Sequence, residues 1–213
     1  MSPSAPARRV FLARTAAVAV AALPWHVEAS VAAPTVPQSL GPYYPRERPA
    51  EADDDLVSVR GGNGAAKGEL TVLTGVITGT DGKTVANARV EIWQCDANGR
   101  YHHPGDTSSA PLDANFQGYG ETVTDAAGAY RFRTIKPVSY PGRAPHIHVR
   151  VSARGYATIV TQMYVKGEPQ NDRDGLLQSV RDPAARAKLI VPFEKSPDGA
   201  ALSAKFDVVL AAA

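Results

Sequence analysis

The stretch LTVLTGVITGTDGKTVANARVEIWQCD, residues 70–96, decides the fold class. Its first part, 70–78, is apolar and β-branched, the composition of a buried strand. Asp81-Gly82 follows as a turn signal. Residues 88–96 alternate, with Val90, Ile92 and Gln94 on one face and Glu91, Trp93 and Cys95 on the other. Outward from this pair, residues 121–135 read as a hairpin around Asp125-Ala-Ala-Gly128. Residues 146–153, 157–165 and 204–210 read as further strands. Residues 174–190 give one or two short helices near the C-terminus, interrupted at Pro183. Short strands at regular spacing, with 18 Gly and 17 Pro for turns, predict an all-β fold, an antiparallel β-sandwich with long functional loops.

The chain has 213 residues, enough for one domain with a substantial core. Hydrophobic residues make up 44% and charged residues 21%, ordinary values for a globular protein. Three segments are expected: residues 1–33 as an export signal, 34–69 as an extended lead-in, and 70–213 as the sandwich domain. In the first, Arg8-Arg9 precede a short Ala/Val/Leu run and small residues, with candidate cleavage points after Ala29 and Ala33. The arginine pair resembles a bacterial twin-arginine signal, which implies export to the periplasm or beyond, often with a cofactor already inserted. The apolar run, residues 15–23, is too short to span a bilayer, so no membrane association is expected once the signal is removed. Residues 1–33 carry Arg8, Arg9 and Arg14 against Glu28, so their removal takes 23 basic and 21 acidic residues to 20 of each. A balanced surface gives no basic field for nucleic acid. The single cysteine, Cys95, excludes an intramolecular disulfide and a cysteine-based metal cluster, and its strand context reads as a buried, inert thiol.

The chemistry concentrates in YPGRAPHIH, residues 140–148. His146 and His148, two apart on a strand, project from the same face, with Ile147 turned the other way. Two imidazoles on one rigid strand are half of a metal site; the alternative is an exposed histidine pair on an ordinary strand. Tyr140 lies in the turn before them, and Tyr101 lies in a long loop, residues 97–119, of a length that is usually functional. Phenolates are hard anionic donors, so two tyrosines with two histidines match Fe(III).

VEIWQCDANGRYHH, APLDANFQGYGETVTDAAGAYRFRTIKP, RAPHIHVRV, TQMYVKGEP and FDVVL together resemble the catalytic domain of the intradiol ring-cleavage dioxygenases, nearest to the protocatechuate 3,4-dioxygenase type. The lead-in GPYYP, residues 41–45, is similar to the segment before that sandwich. The resemblance implies that Tyr101, Tyr140, His146 and His148 ligate a non-haem Fe(III). It puts Arg143 against the bound substrate ring, with Gln162 assisting. Family enzymes bind a catechol-type small molecule as a dianion on the iron, displacing one tyrosinate that is then a ready base, and use O₂ to split the ring to a cis,cis-muconate-type diacid. Tyr140 is therefore expected to be catalytic as well as a ligand. His102 and His103 are expected to shape the loop or pocket mouth, and Tyr43 and Tyr44 to line the substrate entrance. Trp93, Tyr130 and Phe132 alternate in strands and read as core. Two departures stand out: the Tyr140–His146 linker is much shorter than in the well-known ring-cleaving enzymes, and the helical dimerisation segment of catechol 1,2-dioxygenases is missing, which leaves a homo-oligomer open. The strands over residues 74–93 and 124–135 also resemble a transthyretin-like or carboxypeptidase-regulatory-like binding module, and an iron-binding relative without activity is a third reading. A binding module has no need of Tyr101, Tyr140 and His-x-His together.

Overall fold

The computed structural model describes Met1, residues 32–196 and residues 199–213. The arginine pair and apolar run of the expected export signal lie outside the described residues. Among the described residues ten strands form two five-stranded sheets. In the first, β1 (Leu70–Gly79) is central. It pairs antiparallel with β4 (Ala129–Ile135), and on its other edge runs parallel to β9 (Leu202–Lys205) and β10 (Val208–Leu210). β8 (Glu194–Lys195) completes this sheet on β9. The second sheet has the order β3 (Tyr119–Val123), β2 (Arg89–Trp93), β5 (His146–Ser152), β6 (Ile159–Val165) and β7 (Ile190–Val191). The sandwich is as expected, with parallel pairings added where the last strands return to β1 and β6.

The expected hairpin over 121–135 is instead a corner between the sheets. β3 pairs with β2, whereas β4 pairs with β1. The expected turn at Asp125 is present: Asp125 Oδ1 accepts the backbone N–H groups of Ala127 at 2.8 Å and Ala129 at 2.9 Å. What such a turn leaves open is which neighbour each flanking strand takes. The helices are short, with a 3-10 turn at Pro169–Arg173, α1 at Gly175–Gln178 and α2 at Pro183–Ala187. Pro183 starts α2 behind its Asp182 cap, a position where a missing N–H costs nothing. None of the described helices is long and apolar enough to cross a membrane.

The core lies between the sheets. Leu73, Ile77 and Phe132 of the first face Val90, Ile92, Ile147, Val149, Val151 and Met163 of the second, all buried. Gln94 and Thr134 join the layers through a buried 2.8 Å hydrogen bond. The lead-in is bound along its length. Gln38 N–H donates to Val160 O at 2.8 Å, and Arg133 N–H donates to Asp54 O at 2.8 Å. Leu56 enters the core with no exposed surface. Thus one segment crosses the outer face of the second sheet and reaches the first.

Candidate metal centre and active site

The outer face of the second sheet carries the polar half of the alternation. Register places Trp93 beside His148, His148 beside Gln162, and His146 beside Tyr164. These side chains are buried although they point away from the inter-sheet core. Trp93, expected in the core, belongs to this outer cluster: it stacks on His148 with ring centroids 4.7 Å apart and planes within 8°. Tyr130 and Phe132 do lie in the core.

Four groups converge here. His146 Nε2 is 3.2 Å from His148 Nε2 and 3.5 Å from the Tyr101 hydroxyl. The Tyr140 ring lies 5.5 Å from both the Tyr101 and the His146 rings. Each is delivered locally. Asp96 pins both ends of the Tyr101 loop, accepting the N–H groups of Arg100 at 3.1 Å and Asp113 at 2.8 Å. Asp106 accepts the N–H of Tyr101 itself at 2.7 Å. Tyr140 opens a tight turn that Arg143 N–H closes at 2.9 Å, with Pro141 second and Gly142 third at φ 81, the residue pattern of a type II turn. The short linker is this turn plus Ala144 and Pro145.

The turn sets Arg143 beside Tyr140. Its guanidinium lies 3.4 Å from the Tyr140 hydroxyl and donates to Gln162 Oε1 at 2.5 Å. Tyr164 and Asp174 complete its surroundings, and neither was singled out from sequence. Gln162 Nε2 donates to Ser39 O of the lead-in at 3.2 Å. Tyr43 stacks on Tyr101 at 4.5 Å and lines a cavity of about 490 Å³ with His102 and His103. His102 Nε2 is 3.9 Å from Asp96. Tyr44 does not line that cavity. Its hydroxyl donates to Glu91 at 2.8 Å, and its ring meets Trp93 edge-on. A second cavity of about 450 Å³ opens at Ser139, Tyr140, Arg143, Gln170 and Arg173.

Burial, followed by the Arg143 charge, lowers His146 to about 4, and burial holds His148 well below the usual imidazole range. Both rings are therefore neutral near pH 7. His146 Nδ1 lies 2.6 Å from Ala144 O, a carbonyl that can only accept. The proton is therefore on Nδ1, and the Nε2 lone pair faces His148 and Tyr101. Burial raises Tyr101 far above the ordinary phenol value and raises Tyr140 as well, although Arg143 opposes the latter. Such phenols ionise only when a cation replaces the lost hydration. Among the described residues no cluster of three or more His, Cys, Asp or Glu is placed to hold a metal. The donor set is two imidazoles and two phenols, which fits a hard trivalent ion and not a carboxylate-preferring divalent one. Cys95 stays outside it: its thiol is buried, faces Val138 O at 3.7 Å and is pushed up to about 12.

A family profile described as dioxygenase matches residues 39–212, through every strand and each converging side chain. The chain belongs to the intradiol ring-cleaving dioxygenases. It is similar to the protocatechuate 3,4-dioxygenase beta chain of Burkholderia cepacia, 42% identical over 179 residues, covering 79% of this chain and 76% of that one. Hydroxyquinol 1,2-dioxygenase of Corynebacterium glutamicum is 33% identical over 202 residues, with 80% of this dioxygenase aligned but only 62% of the relative. Among solved structures, the dioxygenase domain of a dioxygenase carbohydrate-binding protein fusion from Streptomyces sp. SirexAA-E superposes with a TM-score of 0.66 at 30% identity, covering 85% of this chain and all of that one. The match separates this dioxygenase from the binding-module reading, because it takes in the tyrosine loop and the His-x-His strand as well as the shared strands.

Proposed function

We propose that this dioxygenase holds a non-haem Fe(III) on Tyr101, Tyr140, His146 and His148 and cleaves a catechol-type ring between its hydroxylated carbons with O₂, giving a cis,cis-muconate-type diacid. The observation that carries this is the convergence of two phenols and two neutral imidazoles on one face, with a guanidinium 3.4 Å from one phenol. Bound there, Fe(III) would supply Lewis acidity to the catechol and an electron sink that makes its ring reactive toward O₂.

The chain's own residues supply the rest. Tyr140 is the phenol that meets both a cavity and Arg143, so its oxygen is placed to take a proton from an entering substrate hydroxyl. The Arg143 guanidinium stabilises negative charge developing on the ring oxygens, and Gln162 holds that guanidinium by one N–H. Trp93 stacked on His148 and Tyr43 stacked on Tyr101 keep both rings in place. In the cavity at Tyr140 the Arg143 charge is balanced by Asp174, whereas Arg173 at the rim has no described acidic partner. This supports catechols with an anionic substituent as the preferred class. The Arg8-Arg9 signal supports an exported enzyme.

The test is purification from an iron-replete host. A red-brown visible band from tyrosinate-to-iron charge transfer is expected, shifted or removed by Tyr101→Phe or Tyr140→Phe, together with oxygen uptake on catechol, protocatechuate or hydroxyquinol. A colourless, well-folded protein without iron refutes the ligand assignment; a coloured one inert on every catechol refutes the activity.

A further inference from the structure

Asp174 is buried at 1% exposure and accepts four hydrogen bonds from two segments of the chain. Its Oδ2 accepts from Arg143 Nε at 2.9 Å and from the backbone N–H of Ala144 at 2.9 Å. Its Oδ1 accepts from the N–H groups of Leu176 at 3.1 Å and Leu177 at 3.0 Å, the first turn of α1. One carboxylate therefore ties the Tyr140–His146 linker to the segment that follows β6. Burial alone would raise its pKa, but the Leu177 and Ala144 N–H groups and the Arg143 charge carry it below the usual carboxylate range, so it is an anion at neutral pH.

The consequence falls on Arg143. An arginine carries five N–H donors in a planar fork, and fixing one edge fixes the direction of the other. Here Nε is taken by Asp174. One terminal nitrogen is left 3.4 Å from the Tyr140 hydroxyl, and the other lies on Gln162 at 2.5 Å and Tyr164 at 3.3 Å. Neither Gln162 nor Tyr164 carries charge in its ordinary form, so among the described residues Asp174 is the ionic anchor of this guanidinium. The Ala144 bond adds a second restraint. Ala144 O is the acceptor that sets the His146 tautomer, so the same carboxylate steadies the residue that orients a ligand ring.

We infer that Asp174 is a positioning residue: it aims the Arg143 guanidinium at the Tyr140 side of the site and acts through that guanidinium. The inference rests on the reading of Arg143 as the group that acts on the ring.

A double-mutant cycle tests it. Asp174→Asn is made in the native enzyme and in an Arg143→Gln background, with iron content equalised by the visible band and turnover followed by oxygen uptake. In the native background kcat should fall about 10-fold while KM changes by less than about 3-fold, because loss of aim weakens the transition state more than ground-state binding. In the Arg143→Gln background the same change should cost less than about 2-fold. Equal losses in both backgrounds, or no loss in the first, overturn the proposal. Asp174→Ser retains a cap for α1 but cannot span to Arg143, and it must show the same dependence on Arg143, so a general folding defect is separated from a loss of aim. If the native enzyme itself turns over no catechol, the functional reading fails first, and that result is seen before any variant is compared.

Discussion

Replacing Glu91 by Gln should destabilise the fold by an amount that acid erases. Glu91 has no exposed surface and stands on the outer face of β2, two residues before Trp93. Its Oε1 accepts the hydroxyls of Tyr44 at 2.8 Å and Tyr119 at 2.7 Å, and its Oε2 accepts from Arg150. Glutamine keeps the shape but replaces one oxygen with an NH₂ group that cannot accept. Either Arg150 or the two tyrosines then lose their partner. A hydrogen bond to a charged group contributes about 1.5–3 kcal/mol, and breaking a fully buried ion pair costs about 3–5 kcal/mol. The Arg150 side chain is 29% exposed, so water recovers part of the loss and about 2–3 kcal/mol is expected. For a domain of this size that is a fall in Tm of roughly 4–12 °C. The pH dependence has a definite sign. Burial pushes the Glu91 carboxyl up, but the bonds from Tyr119, Tyr44 and Arg150 hold it below its ordinary value. A depressed folded pKa stabilises above the unfolded value of about 4.3 and stops doing so as pH falls through the folded one. The gap between wild type and Glu91→Gln should therefore be full at pH 7 and shrink below about pH 4. Thermal unfolding followed by circular dichroism at both pH values measures it. A Tm within about 2 °C of wild type at pH 7, or a gap that widens in acid, refutes the reasoning.

Gly41→Ala should loosen the lead-in over the metal site: Gly41 has φ +74, and an added Cβ would stand 3.1 Å from His148 Cε1. The left-handed conformation costs a non-glycine residue about 1–2 kcal/mol, so a lower Tm with reduced iron retention is expected, and unchanged iron content after dialysis against a chelator counts against it. Replacing both Arg8 and Arg9 by Lys should leave the protein in the cytoplasmic fraction of a bacterial host, as read by fractionation and blotting, and undiminished periplasmic protein excludes the twin-arginine route.

Features fixed by local alternation were legible in the sequence. The two faces of residues 88–96 and the same-side pair His146 and His148 need only the period of a strand, and both stand as read. Tyr140 was legible from its place in the turn before the His-x-His strand, whereas Tyr101 was found through loop length and family resemblance, since nothing in its local sequence brings it within reach of the histidines. Partners chosen across long separations were not legible. Asp174 is 31 residues from Arg143, and its aspartate-glycine context reads as an ordinary helix start. Glu91 finds Tyr44 from 47 residues away. The corner at Asp125 was read as a hairpin because turn residues specify the bend but not the sheet that receives the next strand. The parallel return of β9 and β10 to β1 is invisible for the same reason.

The site lies on the far side of a sheet whose near side is the core, and in β5 and β6 that division follows odd and even numbers. His146, His148, Gln162 and Tyr164 are even; Ile147, Val149, Val151, Ile159 and Met163 are odd. A saturating mutational survey of these nine positions should therefore sort into two populations by parity. Odd positions would lower the yield of folded protein while each surviving molecule keeps its turnover. Even positions would leave yield less affected and change colour and turnover. Scaffold and reagent are thus written in alternate letters of the same text, and either set can be rewritten while the other is held constant.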